Sequence, residues 1–244
     1  MSEPASNVEV QPAATVMLVR DARSSGGGPS LEVLMLRRHP ESVFAADAWV
    51  FPGGRVDDGD RHGAPIAIGP SDAEASAELG LPSGGLAYWV AAARECFEEA
   101  GILLARHPGT GAWFEPSCDL AAARLARYRR EVHSGATTLA AVLETEGLVL
   151  DLSGVHYVSH WITPNRRGNA RRFDTRFFVA AVPPGQVAAH DAAETVESIW
   201  TTPAEALARG AAGELRLLIP TVANLETLGR FSSVAELVES RCPT

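Results

Sequence analysis

The chain has 244 residues, 46% hydrophobic and 21% charged, which is enough to bury a core without disulfides or metals and excludes a small stapled scaffold. Thirty acidic residues against 21 basic ones leave a net charge of -9 at pH 7, which argues against coating nucleic acid or an anionic membrane through the overall field. All 21 basic residues are arginine, a bias that GC-rich codons produce by themselves, although arginine also suits phosphate better than lysine. Cys96, Cys118 and Cys242 lie far apart and offer no disulfide framework or metal spacing, so a reducing compartment is expected. The first residues carry no basic or apolar region, and the longest apolar runs, such as 13–19, are too short to cross a bilayer. A soluble cytoplasmic protein is the expectation, with neither nucleic acid nor membrane as partner.

Residues 1–12 are polar and expected to be loose, with a single domain over 13–244. Residues 14–20 and 31–37 are β-branched and aliphatic runs separated by a Gly/Ser turn at 24–30, which predicts a hairpin. A third short strand, 49–51, runs into Pro52-Gly53-Gly54, where the backbone turns sharply. From Asp57 to Leu86 the periodicity is lost among Gly, Pro, Asp and Ser, so a long surface excursion is expected, and a structureless loop of that length demands a reason. Residues 88–100 read as a helix stopped by Gly101. Two further helices are expected at 119–133 and 137–146, and the first ends in the basic run Arg127, Arg129 and Arg130. Strand text returns at 157–163, 171–182 and 196–201, with 164–170 as the turn between the first two. Short helices follow at 203–207, 220–228 and 234–240. Strands with interspersed helices and no fixed repeat imply a mixed α/β domain with helical elaborations at about 117–146 and 203–240.

On the helix at 88–100, a step of about 100° per residue puts Val90, Ala93, Phe97 and Ala100 on one face and Glu95, Glu98 and Glu99 on the other. Three surface glutamates are usually a solvated helix face. These three, however, repel at i, i+3 and i+4 and oppose the dipole at a helix C-terminus. A hard divalent cation with oxygen ligands would remove both penalties.

Arg94-Glu95-Cys96-Phe97-Glu98-Glu99-Ala100-Gly101-Ile102 resembles the second half of the Nudix box, with Cys96 in place of an aliphatic residue. The first half stands upstream as Gly54, five residues, then Asp60, with aspartate for the usual glutamate. Between the halves, residues 61–93 make 33 where the plain box has seven, so 26 are inserted, and the excursion at about 61–86 is the loop of a loop-helix motif grown outward. An interrupted box is similar to that of the coenzyme A diphosphatase-like branch of the Nudix superfamily. Trp161-Ile162-Thr163-Pro164 followed by 171–178, and then Glu194, Glu197 and Trp200, resemble later blocks of that branch. Two departures limit the likeness. In the upstream motif of the shorter CoA-hydrolysing relatives, Asp47 occupies a glycine position and Val43 an arginine position, and the chain ends Arg241-Cys242-Pro243-Thr244 without a Ser-Lys-Leu address.

The resemblance implies a Nudix α/β/α sandwich with a mixed β-sheet, a loop insertion and extra helices. It implies metal-dependent hydrolysis of a diphosphate linkage, with CoA or acyl-CoA giving phosphopantetheine and adenosine 3',5'-bisphosphate. ADP-ribose, NADH or another nucleoside diphosphate derivative is the alternative small-molecule substrate, and a non-catalytic nucleotide-binding module is a second alternative. It also implies that Glu95, Glu98 and Glu99 bind Mg2+ or Mn2+ with a backbone carbonyl of Gly53 or Gly54. Arg94 then orients the glutamates, so that Arg94, Glu98 and Glu99 form the catalytic set. The general base is left open between a cluster glutamate, Glu194 and Glu197. Arg37, Arg38, Arg171, Arg172 and Arg176 flank the relevant strands and are candidates for holding substrate phosphates, or else exposed charges on strand ends. Trp161 and Phe173 are candidates to stack on adenine, or core aromatics. A homodimer is one option for assembly.

Overall fold

The computed structural model describes residues 8–23, 28–62, 66–165, 171–191 and 194–240. The turns expected at 24–30 and 164–170 therefore fall largely outside the described residues, as does Cys242.

Strands β1 (Val10–Arg23) and β2 (Pro29–Arg38) pair antiparallel with Val19 opposite Val33. β1 also runs parallel to β9 (Arg172–Ala181), Val10 facing Arg172, so residues 10–12 belong to the sheet rather than to a loose end. Their side chains give no strand signal, and it is the backbone ladder that holds them. β10 (Thr195–Thr201) and β8 (Val155–Ile162) complete the strand order β10-β2-β1-β9-β8. β3 (Trp49–Val50) pairs antiparallel with β2, and β4 (Gly53–Arg55) pairs with β1, so the Gly-Gly segment is strand rather than free turn.

The two faces of this mixed sheet separate by parity. Val16, Leu18, Leu34, Leu36 and Phe178 pack with residues of α3 (Leu86–Ala100), α4 (Asp119–His133) and α5 (Leu139–Glu146). Met17, Val19, Val33, Met35, Phe177 and Val179 pack with residues of α6 (Pro203–Ala211), α7 (Ile219–Leu228) and α8 (Val234–Glu239). Alternation along each strand thus feeds two cores and gives an α/β/α sandwich.

The stretch expected as a structureless excursion carries α1 (Asp58–His62), β5 (Ala67–Ile68) and α2 (Asp72–Leu79). A capping box between Ser71 and Glu74 starts α2, and Gly80 ends it at φ 68°. Asp72 accepts hydrogen bonds from the Gly84 and Leu86 amides, both at 3.0 Å, which ties the insertion to the start of α3 and lowers the Asp72 carboxyl pKa. A second sheet, β5-β7-β6, with β6 (Ala105–Arg106) and β7 (Val149–Asp151), docks the insertion beside α3 and α5. Strands of two or three residues leave no period to read in the sequence.

Helix α3 is buried along its whole circumference, Arg94 being its one residue of intermediate exposure. The glutamate face is accordingly not a solvated one: Glu95, Glu98 and Glu99 are 8%, 7% and 2% exposed. Among the described residues, no helix is long and apolar enough to cross a membrane.

Candidate functional site

Arg94 organises the end of α3. Its Nε donates to Asp60 Oδ1 at 2.8 Å and its Nη2 to Asp60 Oδ2 at 3.1 Å, a two-pronged contact between the two halves of the interrupted motif. Nη1 donates to Glu95 Oε1 at 2.6 Å and Glu98 Oε1 at 2.9 Å, and Nη2 also reaches the Arg55 carbonyl at 2.7 Å. Planar guanidinium geometry suits this set of acceptors, and no lysine could replace it. Burial alone would lower the Arg94 pKa, but Glu95, Asp60 and Glu98 more than reverse that and raise it. Asp60, 2% exposed, also accepts from the Asp57 amide at 2.8 Å.

The carboxylates themselves are held at a cost. Burial, helped by Glu98 and Asp60 and opposed by Arg94, pushes the Glu95 carboxyl up to about 8. Glu99 is raised well above the carboxylate range by burial and by the charges of Glu95 and Glu194, although the Gly53 amide donates to its Oε2 at 3.0 Å. A Cβ on Gly54 would meet Glu95 Oε1 at 2.3 Å, and one on Gly53 would meet Thr15 Oγ1 at 2.4 Å. The glycines are thus required first by the packing of β4 against β1 and α3.

Mutually repelling, buried, all-oxygen donors are chemically suited to a hard divalent cation. No finished cage of three converging His, Cys, Asp or Glu side chains exists among the described residues, and Arg94 Nη1 lies between Glu95 and Glu98. The donor set fits Mg2+ or Mn2+ in chemistry, and the Gly53 peptide contributes its N–H to Glu99.

The three glutamates form part of the lining of a cleft of about 1030 Å3. Arg38, Arg171 and Glu194 line it as well, as do Trp161 and Phe173. Arg37, Arg172 and Arg176 do not. Arg37 Nε donates to Asp47 at 2.8 Å and its Nη1 contacts Glu197 at 3.3 Å. Arg172 ties the Thr163 and Val8 carbonyls, at 3.1 and 3.3 Å. Arg176 is 5% exposed, pairs with Asp174 at 3.1 Å and stands 5.9 Å from the Tyr88 ring centre. Strand parity decides this: on β9 the odd residues Phe173, Thr175 and Phe177 line the cleft, whereas Arg172 and Arg176 fall on the even positions.

Two contributors come from segments far from the motif. His133, at the end of α4, places Nδ1 3.5 Å from Glu98 Oε2 and lines the cleft. Arg129 donates to the Glu98 carbonyl at 2.7 Å and to the Ala189 carbonyl at 2.9 Å, satisfying the last turn of α3. The one sequence signal for either is the basic run that closes the 119–133 helix.

Residues 63–228 match the family model described as the NUDT19 Nudix domain. The human acyl-coenzyme A diphosphatase NUDT19 is 31% identical over 84% of this chain and 62% of its own length. Its chicken counterpart is 31% identical over 92% of this chain and 69% of its own length. The chain therefore spans about three fifths of the human relative. A solved NUDIX hydrolase from Alicyclobacillus acidocaldarius superposes with a TM-score of 0.78 at 26% identity, covering 98% of this chain and 100% of its own.

Proposed function

The chain belongs to the Nudix family, in its NUDT19 branch, and on that footing we propose that it is a metal-dependent diphosphatase that hydrolyses acyl-CoA or CoA. Water adds to one phosphorus of the diphosphate, the bridging P–O bond breaks, and the products are (acyl-)phosphopantetheine and adenosine 3',5'-bisphosphate, with a proton released. The observation that carries the reading is that three buried carboxylates from one helix end, two tied by Arg94 and the third by the Gly53 amide, line a cleft large enough for a nucleotide.

Bound Mg2+ or Mn2+ would neutralise phosphate oxygens and lower the pKa of an attacking water. Glu95, Glu98 and Glu99 would hold the cation. Arg94, itself fixed by Asp60, is a positioning residue that keeps Glu95 and Glu98 aimed. Arg38 and Arg171, the two candidate arginines in the cleft lining, would meet the diphosphate or the 3'-phosphate. Glu194 lies in the cleft near enough to raise Glu99, which favours it over Glu197, paired with Arg37, as the base if no cluster glutamate serves.

The test is a panel of CoA, octanoyl-CoA, ADP-ribose and NADH with Mg2+ or Mn2+, with products identified by mass. The reading expects adenosine 3',5'-bisphosphate from the two CoA compounds. Turnover confined to ADP-ribose or NADH would replace the substrate, and a silent panel would overturn the activity.

A further inference from the structure

Seven large hydrophobic side chains stand exposed among the described residues, and three of them, Val43 (74%), Ile162 (50%) and Ile219 (71%), line this one cleft. They come from the β2–β3 connection, the end of β8 and the start of α7, so their meeting is a product of the fold rather than of one apolar run. Isolated exposed hydrophobics are ordinary, whereas a group gathered around a cleft marks a binding surface.

The connection that presents Val43 is also strained. Ala45 and Asp47 have φ of 51° and 60°, a left-handed conformation that residues with a Cβ adopt reluctantly. The strain is held in place by Arg37, which pairs with Asp47 at 2.7 Å, and by Arg216, which donates to the Ala46 carbonyl. Phe44, beside Val43, meets Phe173 edge to face with ring centres 5.3 Å apart. That pair leaves no parallel slot for a base between the two rings, and Val43, Ile162 and Ile219 carry no hydrogen-bonding side-chain group to read one. An aliphatic arm is what such a surface accepts.

We infer that Val43, Phe44, Ile162 and Ile219 form an acyl-binding rim that makes the enzyme prefer acyl-CoA to free CoA. The inference rests on the diphosphatase reading and names which arm of that substrate the exposed end of the cleft holds. Buried carboxylates and arginines then face the diphosphate, and the rim takes the chain at the other end of the same molecule.

The test compares octanoyl-CoA with CoA on the wild-type protein and on the V43S/I162S/I219S variant. The three positions are exposed, so the substitutions leave the fold intact. An L120S/V187S variant, altered at two exposed positions outside the cleft, serves as control. Calorimetry in EDTA reads binding without turnover, and kcat/KM with Mg2+ reads selectivity. Burying a few methylenes predicts that the wild-type prefers octanoyl-CoA about 10-fold or more. The rim variant is expected to lose most of that preference, and the control to keep both the preference and the CoA turnover of the wild-type. A wild-type that binds both ligands equally, or a rim variant that keeps the preference, overturns the rim while leaving the diphosphatase reading standing. A wild-type that hydrolyses neither overturns the activity and the rim together.

Discussion

The floor and the rim of the cleft are built on opposite principles. At the floor, Glu95, Glu98, Glu99 and Asp60 are all less than 9% exposed, and Arg94 alone makes five hydrogen bonds among them and to the backbone. At the rim, Val43, Ile162 and Ile219 stand half to three-quarters exposed. Charge is buried where it must be held in one geometry, and apolar surface is left open where the proposed partner is a flexible chain. Buried charge makes the floor intolerant of loss, because each removed partner strands another. Exposed side chains make the rim cheap to alter for stability and costly only for selectivity.

The contrast can be broken most forcefully at the floor. Glu98→Gln and Glu99→Gln should each lower kcat by about 1000-fold or more on every substrate, since both remove a carboxylate from the proposed cation site. Glu99→Gln should also abolish the rise in melting temperature produced by Mg2+ or Mn2+, as read by calorimetry. Asp60→Ala removes the two-pronged partner of buried Arg94 and should cost about 3–5 kcal/mol in urea unfolding, with loss of activity following the loss of order. Gly54→Ala is intermediate. The added Cβ displaces the Glu95 carboxylate, so kcat should fall about 10- to 100-fold with the circular dichroism spectrum unchanged.

The small second sheet, β5-β7-β6, supplies a pH-dependent control away from both regions. Burial would raise the Asp151 carboxyl, but hydrogen bonds from Ser153 and Arg106 more than reverse it and leave its pKa lowered. A depressed carboxyl stabilises the fold above its unfolded value and loses that contribution as pH falls through the folded value. Asp151→Asn should therefore be destabilised at pH 7, and its gap from wild-type in melting temperature should close below about pH 4. The smallest effect is expected for Arg37→Ala. Its ion pairs are exposed and screened by water, so the melting temperature should hardly move and CoA turnover should change by less than about 2-fold.

Much of the floor was legible because it is local. Arg94, Glu95, Glu98 and Glu99 lie within six residues of one another, and helix periodicity plus the spacing from Gly54 to Asp60 is enough to group them. Their burial was not legible, since α3 is wrapped by α1, α2 and α4, whose packing no local pattern states. Most of the main strands and all the later helices follow from their runs and breaks. Strand β4, the first residues of β1 and the small second sheet do not, because backbone pairing rather than side-chain pattern creates them. The arginines show the limit most clearly. Arg37 and Arg38 are adjacent on β2 and look alike in the sequence, yet one ties down Asp47 and the other lines the cleft. Alternation says that they differ and cannot say which of them faces the site. His133, Arg129 and Phe44 reach the site from segments that only the fold brings near.

The account turns on whether the α3 carboxylates direct water to the diphosphate of a CoA compound. The direct measurement incubates octanoyl-CoA with Mg2+ and wild-type or Glu99→Gln protein and weighs the products. Wild-type should yield adenosine 3',5'-bisphosphate and octanoyl-phosphopantetheine, and Glu99→Gln should leave the substrate intact. Octanoate with free CoA as the products, or equal turnover by the two proteins, would contradict it.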